Sequence, residues 1–145
     1  MIYKVKSSDE TERLGYLVAQ KLSESGQKRA FIAFRGEVGV GKTVFTRGFA
    51  SFFGIKGVKS PTYTVVNQYS ADNVQIFHFD FYRIESEDDR ESIAYYDYLK
   101  KDGYCIGEWC EKIPHEIPTD AISVSISRDD ESELSRTVTI EGVEL

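Results

Sequence analysis

Apolar and polar positions sort this chain into a short series of elements. Ser7-Ser8-Asp9-Glu10 has the composition of a helix start. Behind it Leu14, Leu17, Val18 and Leu22 recur at intervals of three and four, the single stripe of an amphipathic helix, with Gly26 as its stop. Ala30-Phe31-Ile32-Ala33-Phe34 is almost continuously apolar, as a strand buried on both faces should be. A glycine-rich turn from Gly36 to Gly41 then leads into a helical stretch from Lys42 to Phe53, ended by Gly54. Gly48 within that helix costs about 1 kcal/mol relative to alanine, so close packing is expected to require it. Tyr63 to Tyr69 suits a strand, Ala71-Asp72-Asn73 a turn, and Val74 to Phe81 a second strand rich in aromatics; together they predict a β-hairpin.

Further on, Glu85 to Lys100 is acidic at its start and carries Ile93, Tyr96 and Leu99 at intervals of three, which predicts a helix. Tyr104-Cys105-Ile106 is a short apolar strand. Ala121 to Ser127 and Arg136 to Ile140 alternate polar with apolar around the turn-like Asp129-Asp130-Glu131-Ser132, which predicts an antiparallel pair with one wet face. Strands and helices interleave early, and antiparallel strands close the chain, so the expected class is α/β with a mixed sheet.

Length changes this picture little: 145 residues with no repeat or linker predict one domain over residues 1–145. Charge changes it more. A formal net charge of −6 argues against a protein that grips nucleic acid alone, because phosphate neutralisation needs a basic face. No apolar run approaches the roughly 18–20 residues of a membrane span, and Met1 to Lys6 lacks the features of a leader peptide, so no membrane role and a cytoplasmic location are expected. Cys105 and Cys110 do not match the usual two-residue spacing of zinc or redox pairs, and His78 and His115 lie far apart in sequence. The cysteines therefore read as buried thiols of a reduced compartment.

One stretch carries specific chemistry. Gly36-Glu37-Val38-Gly39-Val40-Gly41-Lys42-Thr43, followed by Val44, matches the pattern G-x-x-x-x-G-K-[ST] at every position. Glycines let the main chain wrap closely around an anion, and the following helix adds the positive end of its dipole. Lys42 is placed to reach the β/γ-phosphates of a nucleotide and the Thr43 hydroxyl to hold Mg2+. A buried-strand signal before the motif and a helix signal after it supply the context that the chemistry needs.

A phosphate loop also needs an acidic group for the metal, normally at the end of an apolar strand. Asp80, in Ile76-Phe77-His78-Phe79-Asp80-Phe81-Tyr82-Arg83, is the candidate. Ile76, His78 and Asp80 share one strand face and Phe77, Phe79 and Phe81 the other. The alternatives are an Asp80 that pairs with Arg83 and a His78 that merely packs beneath the site. Ser60-Pro61-Thr62 offers a threonine hydroxyl to the γ-phosphate or metal, though any turn can contain such a segment. Glu108 follows the Tyr104–Ile106 strand, at the end where open α/β sheets bind ligands. It is a candidate for orienting or deprotonating water and for binding metal, while Trp109 either stacks on a base or walls the pocket.

These blocks, in this order, resemble the TsaE (YjeE) family of small bacterial P-loop ATPases needed to make threonylcarbamoyladenosine in tRNA. The resemblance rests on Gly36–Thr43, Phe45-Thr46-Arg47-Gly48, Ser60-Pro61-Thr62-Tyr63-Thr64, His78-Phe79-Asp80-Phe81-Tyr82-Arg83 and Glu108-Trp109, and spans about residues 7 to 112. It implies a three-layer P-loop fold with a mixed, mostly parallel sheet, a nucleotide site binding ATP and Mg2+, and a C-terminal antiparallel pair. Lys42 and Thr43 match the family's phosphate and Mg2+ residues, Asp80 its metal-organising acid, Thr62 its switch-like threonine, and Glu108-Trp109 its pair near the nucleotide. One departure is Gly107, where the family usually has an apolar residue. The resemblance also implies TsaD-type and TsaB-type partners, with tRNA met only through them.

The reading is thus a slow Mg2+-dependent ATPase stimulated by partners, in which Glu108 or Thr62 places the water. No segment supplies an obvious arginine finger in cis; Arg83 is the remaining candidate. Two alternatives stand beside it: a nucleotide-gated assembly module with incidental turnover, and a small-molecule P-loop kinase. A GTPase is disfavoured because no Asn-Lys-x-Asp guanine-reading segment occurs.

Overall fold

In the computed structural model, residues 1–36, 41–62, 64–85 and 94–145 are described. Strand β1 (Ile2–Val5) precedes helix α1 (Ser8–Glu24), and β2 (Arg29–Gly36) follows. Helix α2 (Lys42–Phe52) follows, then the hairpin of β3 (Val66–Ala71) and β4 (Val74–Asp80). A short helix α3 (Tyr95–Lys100) leads into β5 (Gly103–Glu108), two 3-10 turns at Cys110–Lys112 and Pro114–Glu116, and the pair β6 (Ile122–Arg128) and β7 (Arg136–Glu141).

All seven strands form one sheet in the order β1-β7-β6-β2-β5-β4-β3. The four central strands are mutually parallel; β1 runs with them, and only β3 and β7 run against them. The sheet is therefore mixed and mostly parallel, with the expected antiparallel pair near the chain's end. Both faces are covered. On one, Val18 and Leu22 of α1 and Phe45 and Phe49 of α2 pack on Ile32, Phe34, Ile106 and Val124. On the other, Phe31, Phe77, Phe79, Phe81 and Cys105 pack with Tyr95 of α3. Three layers result, and the alternation along β4 divides as its sequence predicts.

Local signals explain the helices. Ser7 is the N-cap of α1, accepting from the Glu10 N–H at 3.3 Å, while the Glu10 carboxylate accepts the Lys6 N–H at 2.5 Å. The expected need for Gly48 is met at the α1–α2 crossing, where a Cβ would collide with the Glu12 carbonyl oxygen. Gly15 of α1 lies equally close to the Phe45 carbonyl of α2.

Two expectations are corrected, and one element is new. The first hairpin strand begins at Val66 rather than Tyr63. Pro61 O accepts the Val65 N–H at 2.8 Å, and Val65 takes a left-handed φ of 69°, so a turn occupies the predicted start; Tyr63 itself lies outside the described residues. No single helix spans Glu85 to Lys100: α3 starts at Tyr95 because Ala94 adopts a φ of 56°, and residues 86–93, Ile93 among them, lie outside the described residues. Finally, β1 is an element that the hydrophobic pattern does not announce; it is held by β7 and by the N-terminal ammonium, which donates to Ile140 O at 2.8 Å.

Candidate functional site

The central strands end where α2 begins. Gly41 turns the chain into α2 with a φ of 119°, a conformation that favours glycine, and no side chain caps the helix. Its first turn holds no acidic residue, so the free N–H groups and the positive helix end are left available for an anion. Lys42 is buried and folds back, its Nζ donating to Gly36 O at 3.0 Å. The same Nζ lies 5.2 Å from the centre of the Trp109 ring.

Parallel pairing places Asp80 of β4 directly beside Glu108 of β5. Both residues are buried, 7% and 8% exposed, on the sheet face that carries α2. Asp80 does not pair with Arg83; its Oδ1 accepts the Tyr82 N–H at 2.9 Å. Glu108 Oε2 lies 2.6 Å from His78 Nε2. His78 therefore does more than pack beneath the site, a contact invisible in sequence because it joins two strands.

Gly107, just before Glu108, leaves no room for a side chain. A Cβ there would come within 2.8 Å of the Phe81 ring, 2.9 Å of Cys110 Sγ and 3.1 Å of the Phe31 ring. The glycine is what lets these groups close over β5. Trp109 follows in a left-handed conformation, φ 62°, that L residues adopt at a cost of about 1–2 kcal/mol. The turn carries its ring to Lys42 and to Tyr82, whose centroid is 4.9 Å away.

A pocket of about 390 Å³ gathers these groups: Gly41, Lys42, Thr43, Val44, Ser60, Thr62, Asp80, Glu108 and Trp109 line it. Ser60 and Thr62 enter from the segment before the hairpin, their hydroxyls 2.6 Å apart. Tyr69 and Asn67 of β3 secure that segment: the Lys59 N–H donates to Tyr69 Oη at 3.0 Å, and Asn67 Nδ2 donates to Lys59 O at 3.2 Å. Glu37, Val38, Gly39 and Val40 lie outside the described residues, whereas Gly36 ends β2 beneath the pocket. A smaller cleft shares Gly41 and Val44 with the pocket and continues past Ser7, Thr11 and Arg136. Sequence reasoning missed these last residues, since only folding brings α1 and β7 to the start of α2.

Two adjacent buried carboxylates call for a cation, and the donor set is oxygen only: the Thr43 hydroxyl, Asp80 and Glu108. That suits Mg2+, which takes few protein ligands and fills its shell with water and phosphate oxygens. Among the described residues no group of three or more His, Cys, Asp and Glu side chains is arranged to hold a metal. Such an ion would therefore take part of its shell from outside these side chains.

The family model described as "Threonylcarbamoyl adenosine biosynthesis protein TsaE" matches residues 5–138. This chain belongs to the TsaE family. It is 36% identical over 109 residues to the Bacillus subtilis tRNA threonylcarbamoyladenosine biosynthesis protein TsaE, covering 73% of this chain and 68% of that one. The Haemophilus influenzae protein of the same name is 36% identical over 122 residues, covering 83% and 77%. The Treponema pallidum TsaE is 30% identical over 122 residues, covering 83% and 87%. In three dimensions, a crystal structure of Bacillus subtilis YdiB superposes with a TM-score of 0.75 at 24% identity, covering 97% of this chain and 83% of that chain, and so shares the fold. None of the described helices of this TsaE-family chain is long and apolar enough to cross a membrane.

Proposed function

We propose that this chain is a Mg2+-dependent ATP-binding and hydrolysing accessory protein in the formation of threonylcarbamoyladenosine in tRNA, acting with TsaD-type and TsaB-type partners. The observation that carries the reading is the meeting of Lys42, Thr43, Thr62, Asp80 and Glu108 in one pocket at the open N-terminus of α2. In this reading the α2 amides and Lys42 hold the β- and γ-phosphates, Lys42 leaving Gly36 O to do so. The nucleoside end runs towards the cleft at Ser7, Thr11 and Arg136, because that cleft joins the pocket through Gly41 and Val44. Trp109, beside Lys42, walls the phosphate end.

Thr43 and Asp80, with Glu108 beside them, are the residues that would hold Mg2+, which when bound neutralises charge on the phosphate oxygens. Glu108 or Thr62 orients the attacking water. Among the described residues no arginine lines this pocket, Arg83 included, which supports slow turnover by the chain alone. The acidic net charge supports a division of labour in which partners hold the tRNA.

Calorimetric titration of ATP with and without Mg2+, followed by hydrolysis assays with and without the two partners, tests this. The expected result is Mg2+-dependent binding that Lys42→Ala weakens at least about tenfold, with turnover raised by the partners. Absence of ATP binding by folded chain beside its partners would sink the proposal. Glu108→Ala separates hydrolysis from gating. If this variant still supports tRNA modification while Lys42→Ala does not, occupancy alone is what counts and the assembly-module reading replaces the ATPase.

A further inference from the structure

We infer that His78 is a positioning residue for Glu108, and that ATP hydrolysis depends on the hydrogen bond it donates to that carboxylate; the inference rests on the ATPase reading above. His78 is fully buried in β4, with Ile76 on its own face and Ile106 as its partner across β5. Glu108 lies two residues beyond Ile106, so the bond is a diagonal one between neighbouring strands, within reach of long side chains. Its length is 2.6 Å.

The other ring nitrogen makes the arrangement informative. His78 Nδ1 is buried and has no hydrogen-bond partner among the described residues. With a carboxylate as the single partner of the ring, the hydrogen sits on Nε2, and Nδ1 presents a bare lone pair to an apolar core. Burying an acceptor without a donor is unfavourable, and an apolar side chain of similar size would avoid it. Packing therefore does not account for a histidine here. What histidine supplies that Leu, Met or Phe cannot is an N–H aimed at Glu108 from inside the sheet.

That bond restrains a side chain with three free torsions. Oε2 is held from below by a charge-assisted donor, while Phe31, Phe81 and Cys110 fill the space beside Gly107 on the opposite face. Oε1 is then the oxygen left to meet water in the pocket. In the hydrolytic step the water oxygen bonds to the γ-phosphorus as the bond to the β–γ bridging oxygen breaks, and its electron pair leaves on ADP. The water's proton passes to Oε1 and from there to solvent or phosphate. His78 keeps its own proton throughout. It touches neither water nor nucleotide and acts only by holding Glu108 in place.

The test compares His78→Met, similar in size without the donor, with His78→Gln, whose amide N–H extends to about the Nε2 position. Single-turnover hydrolysis, KM for ATP and thermal unfolding are measured on the full chain with ATP and Mg2+. His78→Met is expected to lower kcat about tenfold or more with KM changed less than about threefold, and His78→Gln to recover most of the rate. In a Glu108→Gln background, His78→Met is expected to cost nothing further. Should His78→Met not fold, His78→Asn takes its place, since its amide is too short to reach Glu108. Wild-type turnover in a donor-free variant overturns the inference, as does equal loss in all variants that tracks the melting temperature. A wild-type chain that neither binds nor hydrolyses ATP, even beside its partners, overturns the ATPase reading as well, and is thereby told apart from failure of the His78 inference alone.

Discussion

Gly107 and Glu108 act as one unit at the scale of single residues. The glycine has ordinary strand geometry, so its role is space rather than conformational freedom: Phe81, Cys110 and Phe31 occupy the volume that a side chain would need. Gly107→Ala is therefore expected to overpack the second core by about 1–3 kcal/mol and to displace Glu108. Urea unfolding should show a lower midpoint, and hydrolysis should fall together with it. From the sequence, Gly107 read as a departure from the family pattern, and its neighbours could not be known. That Asp80, Lys42 and Thr43 would meet in one pocket was legible because each is marked by adjacent residues: a strand end in one case, a glycine-rich segment in the other two. His78 was not legible as a partner of Glu108, because the strands that unite them are separated by a helix in the chain.

Helix propensity and packing oppose each other at the scale of elements, and magnitudes decide between them. Replacing Gly48 by alanine would favour an isolated α2 by about 1 kcal/mol. In the fold, the new methyl group would strike the Glu12 carbonyl at the α1–α2 crossing. Backbone cannot rotate away as a side chain can, so Gly48→Ala is expected to destabilise the protein by more than it gains in propensity, about 1–3 kcal/mol net. Thermal unfolding of the variant checks the sign. Because the N-terminus of α2 lines the proposed ATP pocket, ATP affinity should weaken as the helices are forced apart. The stripe on α1 and the alternation along β4 followed from spacing. The helix expected from Glu85 was misread because a period of three says nothing of the left-handed turn at Ala94.

The whole molecule is a sheet buried on both faces, and its second core sets a pH response. Cys105 and Cys110 are free and buried there, and burial pushes each thiol up to about 12. Tyr95 is raised in the same core, first by burial and then by these cysteines. Above pH 9 the unfolded chain loses protons that the folded chain retains, so the folded state binds more protons and stability falls as pH rises. Melting temperatures in reductant should decline as the pH rises above about 9, and Cys105→Ala with Cys110→Ala should flatten the decline. At neutral pH both thiols should react with a thiol reagent far more slowly in the folded chain than in urea. Sequence alone determined the helical stripe of α1 and the two-faced β4, because each is a matter of backbone period within a few residues. Tertiary structure alone decided that β5 lies between β2 and β4, which sets Glu108 beside Asp80 and above His78. Strand order is fixed by which pairing buries both faces of the sheet at once, and no local stretch of chain contains that information.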